Sequence, residues 1–403
     1  MKTFFHRRRE KDKKSLGLRS FKSRKHEQSF LRVGIVGCGR VAQHHIRFIN
    51  ETKNARVVGL VDTNEVTARR FKAPYGVSNV HGSLDSLLDS TTLDVIHIST
   101  PPAYHYVDAM DAINRGIHVF IEKPITLNAH EAEELYSRAM TKPVLICPDF
   151  QQLFHPGFQH ALSIINSGLL GRVVHVESHW SGKLDTQIAG EGRLHWSFEL
   201  PGGVLRNNIT HLLYLVLYFI GMPERVMVSA KSYGIMDHLS IMLEGKQCTA
   251  SVVQSLVIGP QTFYVRIFCE NGAILVNFET STVLVRRKSS MPRSLNWAIS
   301  TYNDAYQLCA YGTKNIINFM RRRLVPYQGL KTLVPRFYAS INDSTDPPVS
   351  RELALAVTKT EEAVFGQASG DAIKQTCEVN GEPKSRSQIR DNVEITLRDS
   401  LLI

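Results

Sequence analysis

The sequence predicts an α/β protein in two parts, a parallel-sheet domain followed by an α/β domain with a large, mostly antiparallel sheet. Three observations carry this. An apolar strand enters a glycine-rich turn and then a helical pattern at 31–50, strands and helices alternate to about residue 150, and seven short β-branched and aromatic runs follow from about residue 172. A chain of 403 residues suits two domains, and 43% hydrophobic against 21% charged residues is ordinary for a globular protein with a sizeable core.

In LRVGIVGCGRVAQHHIRFIN, Gly37, Gly39 and Ala42 fit G-x-G-x-x-G/A between a strand and a helix. The first glycine permits the tight turn, the second lets the backbone approach a pyrophosphate, and the small third residue allows close helix–strand packing. The helix start then offers free N–H groups to the anion. Cys38, Arg40 and Val41 complete the turn as candidate cofactor contacts. The next strand, ARVVGLVDTN, ends in Asp62 and Thr63, with Asp62 lying 23 positions beyond Gly39. A carboxylate there accepts hydrogen bonds from both ribose hydroxyls and repels a 2′-phosphate, so the expected cofactor is NAD rather than NADP. This pattern defines a Rossmann NAD-binding domain over 31–150.

The alternation continues with LDVIHIST as a buried strand, AYHYVDAMDAINRG as a helix stopped by Gly116, and HVFIEK as a strand. NAHEAEELYSRAM then reads as a helix capped by Asn128, and PVLICPDF as the last strand. Right-handed crossovers put ligands at the carboxyl ends of such strands, where Thr100, Pro101, Glu122 and Lys123 fall.

The second domain is assigned to 151–369. RVVHVESHW, RVMVSAKSYG, HLSIMLEG, CTASVVQSLV, TFYVRIFCEN, AILVNFET and TVLVRRK read as its strands. Asn271-Gly272 predicts a type I′ hairpin turn, which needs positive φ at both positions. GGVLRNNITH, at 202–211, looks neither like a clean strand nor like a helix start.

GCGRVA, Asp62, STPPAYH, EKP at 122–124 and GGVLRNNITH, in this order over about residues 31–365, resemble the glucose-fructose oxidoreductase / inositol dehydrogenase (Gfo/Idh/MocA) family of NAD(P)-dependent oxidoreductases. The resemblance implies a Rossmann domain followed by an α/β domain whose sheet often joins copies into a homo-oligomer. It brings Thr100, Pro101, His105, Glu122 and Lys123 to the cofactor. Lys123 would bind substrate and assist proton transfer, and its bond to Pro124 is often cis in the family, a geometry accessible before proline. FYASIND followed by VSRELALAVTKTEEAVFG resembles the family's closing helix, which returns towards the first domain.

Four positions depart from the family pattern: Asn207 stands for its usual aspartate, Ile209 for its second glycine, Pro102 for an asparagine and Leu153 for an arginine. The function implied is hydride transfer between NAD and a secondary alcohol or ketone of a sugar, nucleotide sugar or cyclitol, in polysaccharide biosynthesis. Lys123 would hold the hydroxyl and lower its pKa, Asn207 would position it, and His211 would act as base in oxidation and acid in reduction, a histidine titrating near working pH. The missing aspartate and a basic tail motivate a second reading, a non-catalytic NAD-binding sensor or scaffold.

Residues 1–30 hold eleven Lys or Arg against three Asp or Glu, so this stretch supplies +8 of the total +11 and is expected to be a disordered basic tail. A polar C-terminal tail is expected over 370–403. Nucleic acid is not an expected partner, since that reading rests on the tail alone. Six cysteines without C-x-x-C spacing predict no metal site and no disulfide framework, hence a reducing cytoplasm. Neither a secretory signal nor an apolar run long enough to span a membrane is legible. A helical insertion is expected at about 298–336, with Tyr302, Tyr306, Cys309, Ile316, Phe319 and Met320 largely on one face and Arg321, Arg322 and Arg323 at its end. Two readings stand for its helix at about 302–323: it is an extra amphipathic helix packed on the sheet domain with the arginines at its dipole's negative end, or it touches anionic lipid or a partner enzyme, peripheral at the inner face of a membrane.

Overall fold

Strand β1 (Leu31–Val36) leads through the glycine turn into helix α1 (Ala42–Asn50). The alternation then runs through β2 (Ala55–Val61), α2 (Glu65–Arg69), α3 (Lys72–Tyr75), β3 (Asn79–His81), α4 (Leu84–Ser90), β4 (Val95–Ile98), α5 (Pro102–Asn114), β5 (His118–Ile121), α6 (Ala129–Met140) and β6 (Ile146–Pro148). The computed structural model describes residues 30–77, 79–182, 196–232 and 236–380. All six strands are parallel, in the order β3-β2-β1-β4-β5-β6. Chain order reverses between β1 and β4, which opens a crevice at their carboxyl ends. Val33, Ile35, Val95, Ile98, Val119 and Ile121 are fully or almost fully buried, as strands covered on both faces must be. The punctuation acts as read: Asn128 Oδ1 accepts from Glu131 N at 2.9 Å to start α6, and Gly116 ends α5 at φ +78°.

The second half begins with a 3-10 turn at Gln151–Phe154 and α7 (Pro156–Asn166). It continues with β7 (Val173–Ser181), α8 (Gly203–Ile220), β8 (Arg225–Ser232), β9 (Met236–Glu244), β10 (Thr249–Ser255), β11 (Thr262–Cys269), β12 (Gly272–Asn277) and β13 (Thr282–Arg287). Three helices follow: α9 (Arg293–Met320), α10 (Gln328–Asp343) and α11 (Arg351–Asn380). The sheet order is β13-β12-β11-β7-β10-β9-β8, antiparallel except for β7 with β10. One face, carrying Ala250, Val252, Val265 and Ile267, is buried, and α8 packs against β7, β9 and β10. The opposite face is half-exposed, the alternation expected of an antiparallel sheet. Helix α11 packs on α8 and β8 and reaches α6, where Lys359 Nζ pairs with Glu133 at 2.6 Å.

The structure corrects four expectations. The β11–β12 hairpin exists, but its turn is Glu270-Asn271, and neither Asn271 nor Gly272 has a left-handed backbone. Tertiary hydrogen bonds override the local preference: Glu270 N donates to Arg172 O (3.0 Å), Asn271 N to Leu170 O (2.9 Å), and Lys288 N to Asn271 O (2.8 Å). The expected insertion resolves into two helices of different kinds. Leu330, Leu333, Val334, Phe337 and Tyr338 of α10 are core residues packed towards α1 and the turn after β6, and a Cβ on Gly329 would meet Gln151 O at 1.9 Å. Helix α9 lies on β13, yet with the apolar face named above turned away from the sheet. The C-terminal helix runs on to Asn380, past the expected start of the tail at Gly370. The basic segment 1–29 and residues 381–403 lie outside the described residues. No helix among the described residues is long and apolar enough to cross a membrane.

Candidate active site

The nucleotide end is built by the turn after β1. Gly37 has φ +85°, and a Cβ there would meet Thr100 N at 2.6 Å, so only glycine fits. A Cβ on Gly39 would meet nothing within 4 Å, so the chain is open to a ligand at that point. Ala42 is fully buried against the core, and Val41 N-caps α1 without a side-chain cap, which leaves first-turn N–H groups for an anion. Asp62 sits beside this turn: its Oδ2 accepts from Cys38 N at 2.8 Å and its Oδ1 from Asn64 N at 2.9 Å. Cys38 offers only backbone here, since its side chain is buried, and burial, with Asp62 nearby, pushes the thiol up to about 12. Arg40 and Thr63 are exposed. A turn of this shape with an oriented strand-end carboxylate fits a dinucleotide.

Behind the turn, Thr100 Oγ1 donates to Asp108 Oδ2 at 3.1 Å, while Pro101 N-caps α5. Burial pushes Asp108 up to about 6. His105 is fully buried, with Nε2 2.8 Å from Thr100 O and Nδ1 2.8 Å from Pro124 O. His105 thus sits between the loops after β4 and β5, its single neutral-ring N–H serving one of the two carbonyls at a time.

The Lys123–Pro124 bond is cis. Glu122 points inward, accepting from Lys123 N at 3.2 Å and meeting His45 Nε2 at 3.0 Å. A buried chain continues from His45 Nδ1 to His97 Nδ1 (2.9 Å) and from His97 Nε2 to Tyr338 Oη (2.8 Å). Asp149, at the end of β6, completes a group with His45 and Glu122 whose ligand atoms lie within 4.8 Å of one another. Burial and the Glu122 charge push the Asp149 carboxyl well up. Burial also raises Glu122, but bonds from His45 and Asp149 and the Lys123 ammonium outweigh it and hold the group below the usual range. Two carboxyls this close keep one proton between them. The trio has metal-ligand chemistry, where the cysteines led to none being expected; His45 Nε2 and Glu122 Oε1 engage each other, and Asp149 Oδ2 accepts from Gln151 Nε2 at 3.3 Å.

Helix α8 delivers the remaining residues. Gly202 (φ +94°) and Gly203 (φ +61°) turn the chain into it, and a Cβ on Gly202 would strike the Phe365 ring at 2.4 Å. Lys123 Nζ donates to Asn207 O at 2.6 Å and to its Oδ1 at 3.1 Å. Burial lowers the Lys123 pKa, opposed chiefly by Glu122. One turn on, His211 Nδ1 lies 2.8 Å from Tyr214 Oη, which accepts from Gln152 N at 3.1 Å. With that N–H donating to the phenol oxygen, the phenol proton is assigned to His211 Nδ1, and the neutral ring carries its own proton on Nε2. The expectation that His211 titrates near working pH fails: burial, then the Lys123 ammonium, lower its pKa well below imidazole's ordinary range.

Two profiles of one family match the chain, "Oxidoreductase family, NAD-binding Rossmann fold" at residues 31–150 and its C-terminal domain at 158–275. The chain belongs to the Gfo/Idh/MocA oxidoreductases. Among relatives of this family, the D-xylose 1-dehydrogenase (NADP+) 2 of Haloferax volcanii is 23% identical over 84% of this chain and 98% of its own length. The D-glucoside 3-dehydrogenase of Escherichia coli is 27% identical over 65% of the chain and 73% of its own. The WlbA dehydrogenase of Bordetella pertussis, solved with NADH and UDP-GlcNAcA, has a TM-score of 0.69 at 19% identity, covering 85% of this chain and 96% of its own. As a Gfo/Idh/MocA member the chain is an oxidoreductase with an NAD-binding Rossmann domain.

Sequence reasoning missed Asp149, Tyr214 and Glu361. Asp149 ends a strand just as Asp62 and Glu122 do, so the strand-end rule that found those two would have found it. Tyr214 lies one helical turn beyond His211, a neighbour that spacing reveals once α8 is known to be a helix. Glu361 of α11 accepts from Thr210 Oγ1, and burial pushes it up to about 7; nothing local in the sequence marks it.

Proposed function

We propose that the chain is an NAD-dependent dehydrogenase that interconverts a secondary alcohol and a ketone on a sugar, nucleotide sugar or cyclitol, in polysaccharide assembly. The observation carrying this reading is Lys123, held at the carboxyl end of β5 against Asn207 of α8, with His211 and its Tyr214 partner one turn further. NAD, when bound along the glycine turn, supplies the hydride acceptor or donor. Asp62 would hold its adenosine ribose and disfavour a 2′-phosphate.

The proton falls to the protein. In oxidation the substrate O–H bond breaks as the carbinol C–H gives up its hydride, and the proton passes to Lys123, whose half-buried amine is held against Asn207 and has its pKa lowered by desolvation. In reduction the Lys123 ammonium returns it. His211, neutral and with Nε2–H available, donates a hydrogen bond to the same oxygen. Asn207 positions the amine and carries no charge of its own. The half-exposed face of the seven-stranded sheet would be the contact between copies, which sedimentation velocity tests.

A panel of nucleotide sugars, free sugars and cyclitols, followed by absorbance of the reduced cofactor with NAD and with NADP, tests the reading. Turnover of at least one class with NAD supports it. Tight NAD binding without turnover across the panel contradicts it.

A further inference from the structure

Helix α9 presents its polar side to the protein and its apolar side outward. Gln307 clasps the edge of β13, its Oε1 accepting from Val285 N at 2.9 Å and its Nε2 donating to Val285 O at 3.1 Å. Arg286 Nε donates to Asp304 Oδ2 at 3.0 Å, and Asn315 Nδ2 to Thr280 O at 2.8 Å. No residue of this 28-residue helix is buried. Leu295, Ile299, Tyr302, Tyr306, Ile316 and Met320 line the outward side, with Tyr302 79% and Tyr306 74% exposed. The spacing keeps them on one stripe, and at 1.5 Å per residue the helix carries it for about 40 Å. Two exposed apolar stretches on one side of a helix, 295–306 and 316–320, with Cys309 and Thr313 between them, mark a contact surface.

The charge around the stripe identifies what covers it. Residues 281–327 hold eight Lys or Arg and a single acid, Asp304, which is already paired with Arg286. The cations sit at both ends: Arg293 at the start, where it stacks over Trp297 at 4.9 Å, and Lys314, Arg321, Arg322 and Arg323 towards the finish. Between Arg293 and Lys314 the outward side is uncharged. Pairing with a second copy would set basic end against basic end in either direction. An anionic lipid surface complements both features, taking the aromatic and aliphatic stripe at the headgroup boundary and the cations among its phosphates.

We propose that α9 is an interfacial helix that seats the enzyme on an anionic membrane surface. The full-length protein should sediment with phosphatidylcholine vesicles containing a third phosphatidylglycerol, not with phosphatidylcholine alone, and should come off as salt is raised. Residues 1–30 are also basic, so the deciding variant keeps every charge. Tyr302→Ser/Tyr306→Ser/Ile316→Ser in the full chain should lower partitioning at least about tenfold, with circular dichroism and NAD affinity unchanged. If that variant misfolds, Arg321→Ser/Arg322→Ser/Arg323→Ser is read the same way. A wild type that ignores anionic vesicles, or variants that bind them as well as wild type, overturn the proposal. So does a dimer that the serine variant dissociates without any change in vesicle binding, which would make the stripe an interface between copies.

Discussion

Lys123 Nζ lies 2.6 Å from the main-chain oxygen of Asn207 and 3.1 Å from its side-chain oxygen, so β5 of the first domain and α8 of the second meet at one amine. An amide orients that amine and favours its charged form less than a carboxylate would. Asn207→Asp places a carboxylate there, which favours the ammonium and raises the Lys123 pKa. Since oxidation needs the neutral amine, the corresponding limb of the kcat/KM profile should move to higher pH. A pH profile of both proteins measures this, and an unmoved limb would detach Lys123 from the proton step.

Tyr214 bridges Gln152 N and His211 Nδ1 from a fully buried position. Tyr214→Phe leaves both groups short of a partner, at about 1–3 kcal/mol of stability. It also frees the His211 tautomer. The expected outcome is a kcat lowered by about 10- to 100-fold, with KM for NAD unchanged, because one fixed hydrogen-bond donor to the reacting oxygen is lost. Steady-state kinetics with thermal melts separates the two effects.

What the sequence made legible, and what it hid, follows from the range of each signal. The Rossmann crevice was legible because Gly37, Gly39, Asp62 and Lys123 obey rules local to one β-turn-α unit or one strand end. Helix α8 was obscure because it begins at two left-handed glycines rather than at a capping side chain, and it is apolar nearly all round. Periodicity placed Tyr302, Tyr306, Ile316 and Met320 on one face of α9 but could not say which face meets the sheet. That depended on Gln307 and Asp304 finding partners on β13, a contact between segments. The Asn271-Gly272 turn failed for the same reason.

Asp62 is held at the glycine turn by Cys38 N, and the proposed reading gives its strand-end carboxylate the adenosine ribose. Asp62→Ala should weaken NAD binding by about 1–3 kcal/mol and relax discrimination against NADP. Calorimetric titration with both dinucleotides checks it. A wild type that prefers NADP would remove the assigned role.

Glu361 is almost fully buried and pushed up to about 7 by burial. The folded protein therefore holds a proton that the unfolded chain releases near the ordinary carboxylate range, so this group costs stability as pH rises between that range and about 7. Glutamine mimics the protonated acid and still accepts from Thr210. Glu361→Gln should raise Tm more at pH 8 than at pH 5, measured by melts in matched ionic strength. An equal change at both values would place the ionisation elsewhere.

The central claim is that Lys123 carries the substrate proton while the hydride passes to or from NAD. On any substrate the wild type turns over, Lys123→Ala should lower kcat by about 10²- to 10⁴-fold, the range for a group that moves a proton in the transition state, with NAD affinity and circular dichroism unchanged. Turnover by Lys123→Ala at the wild-type rate, with NAD bound as tightly, would contradict the account.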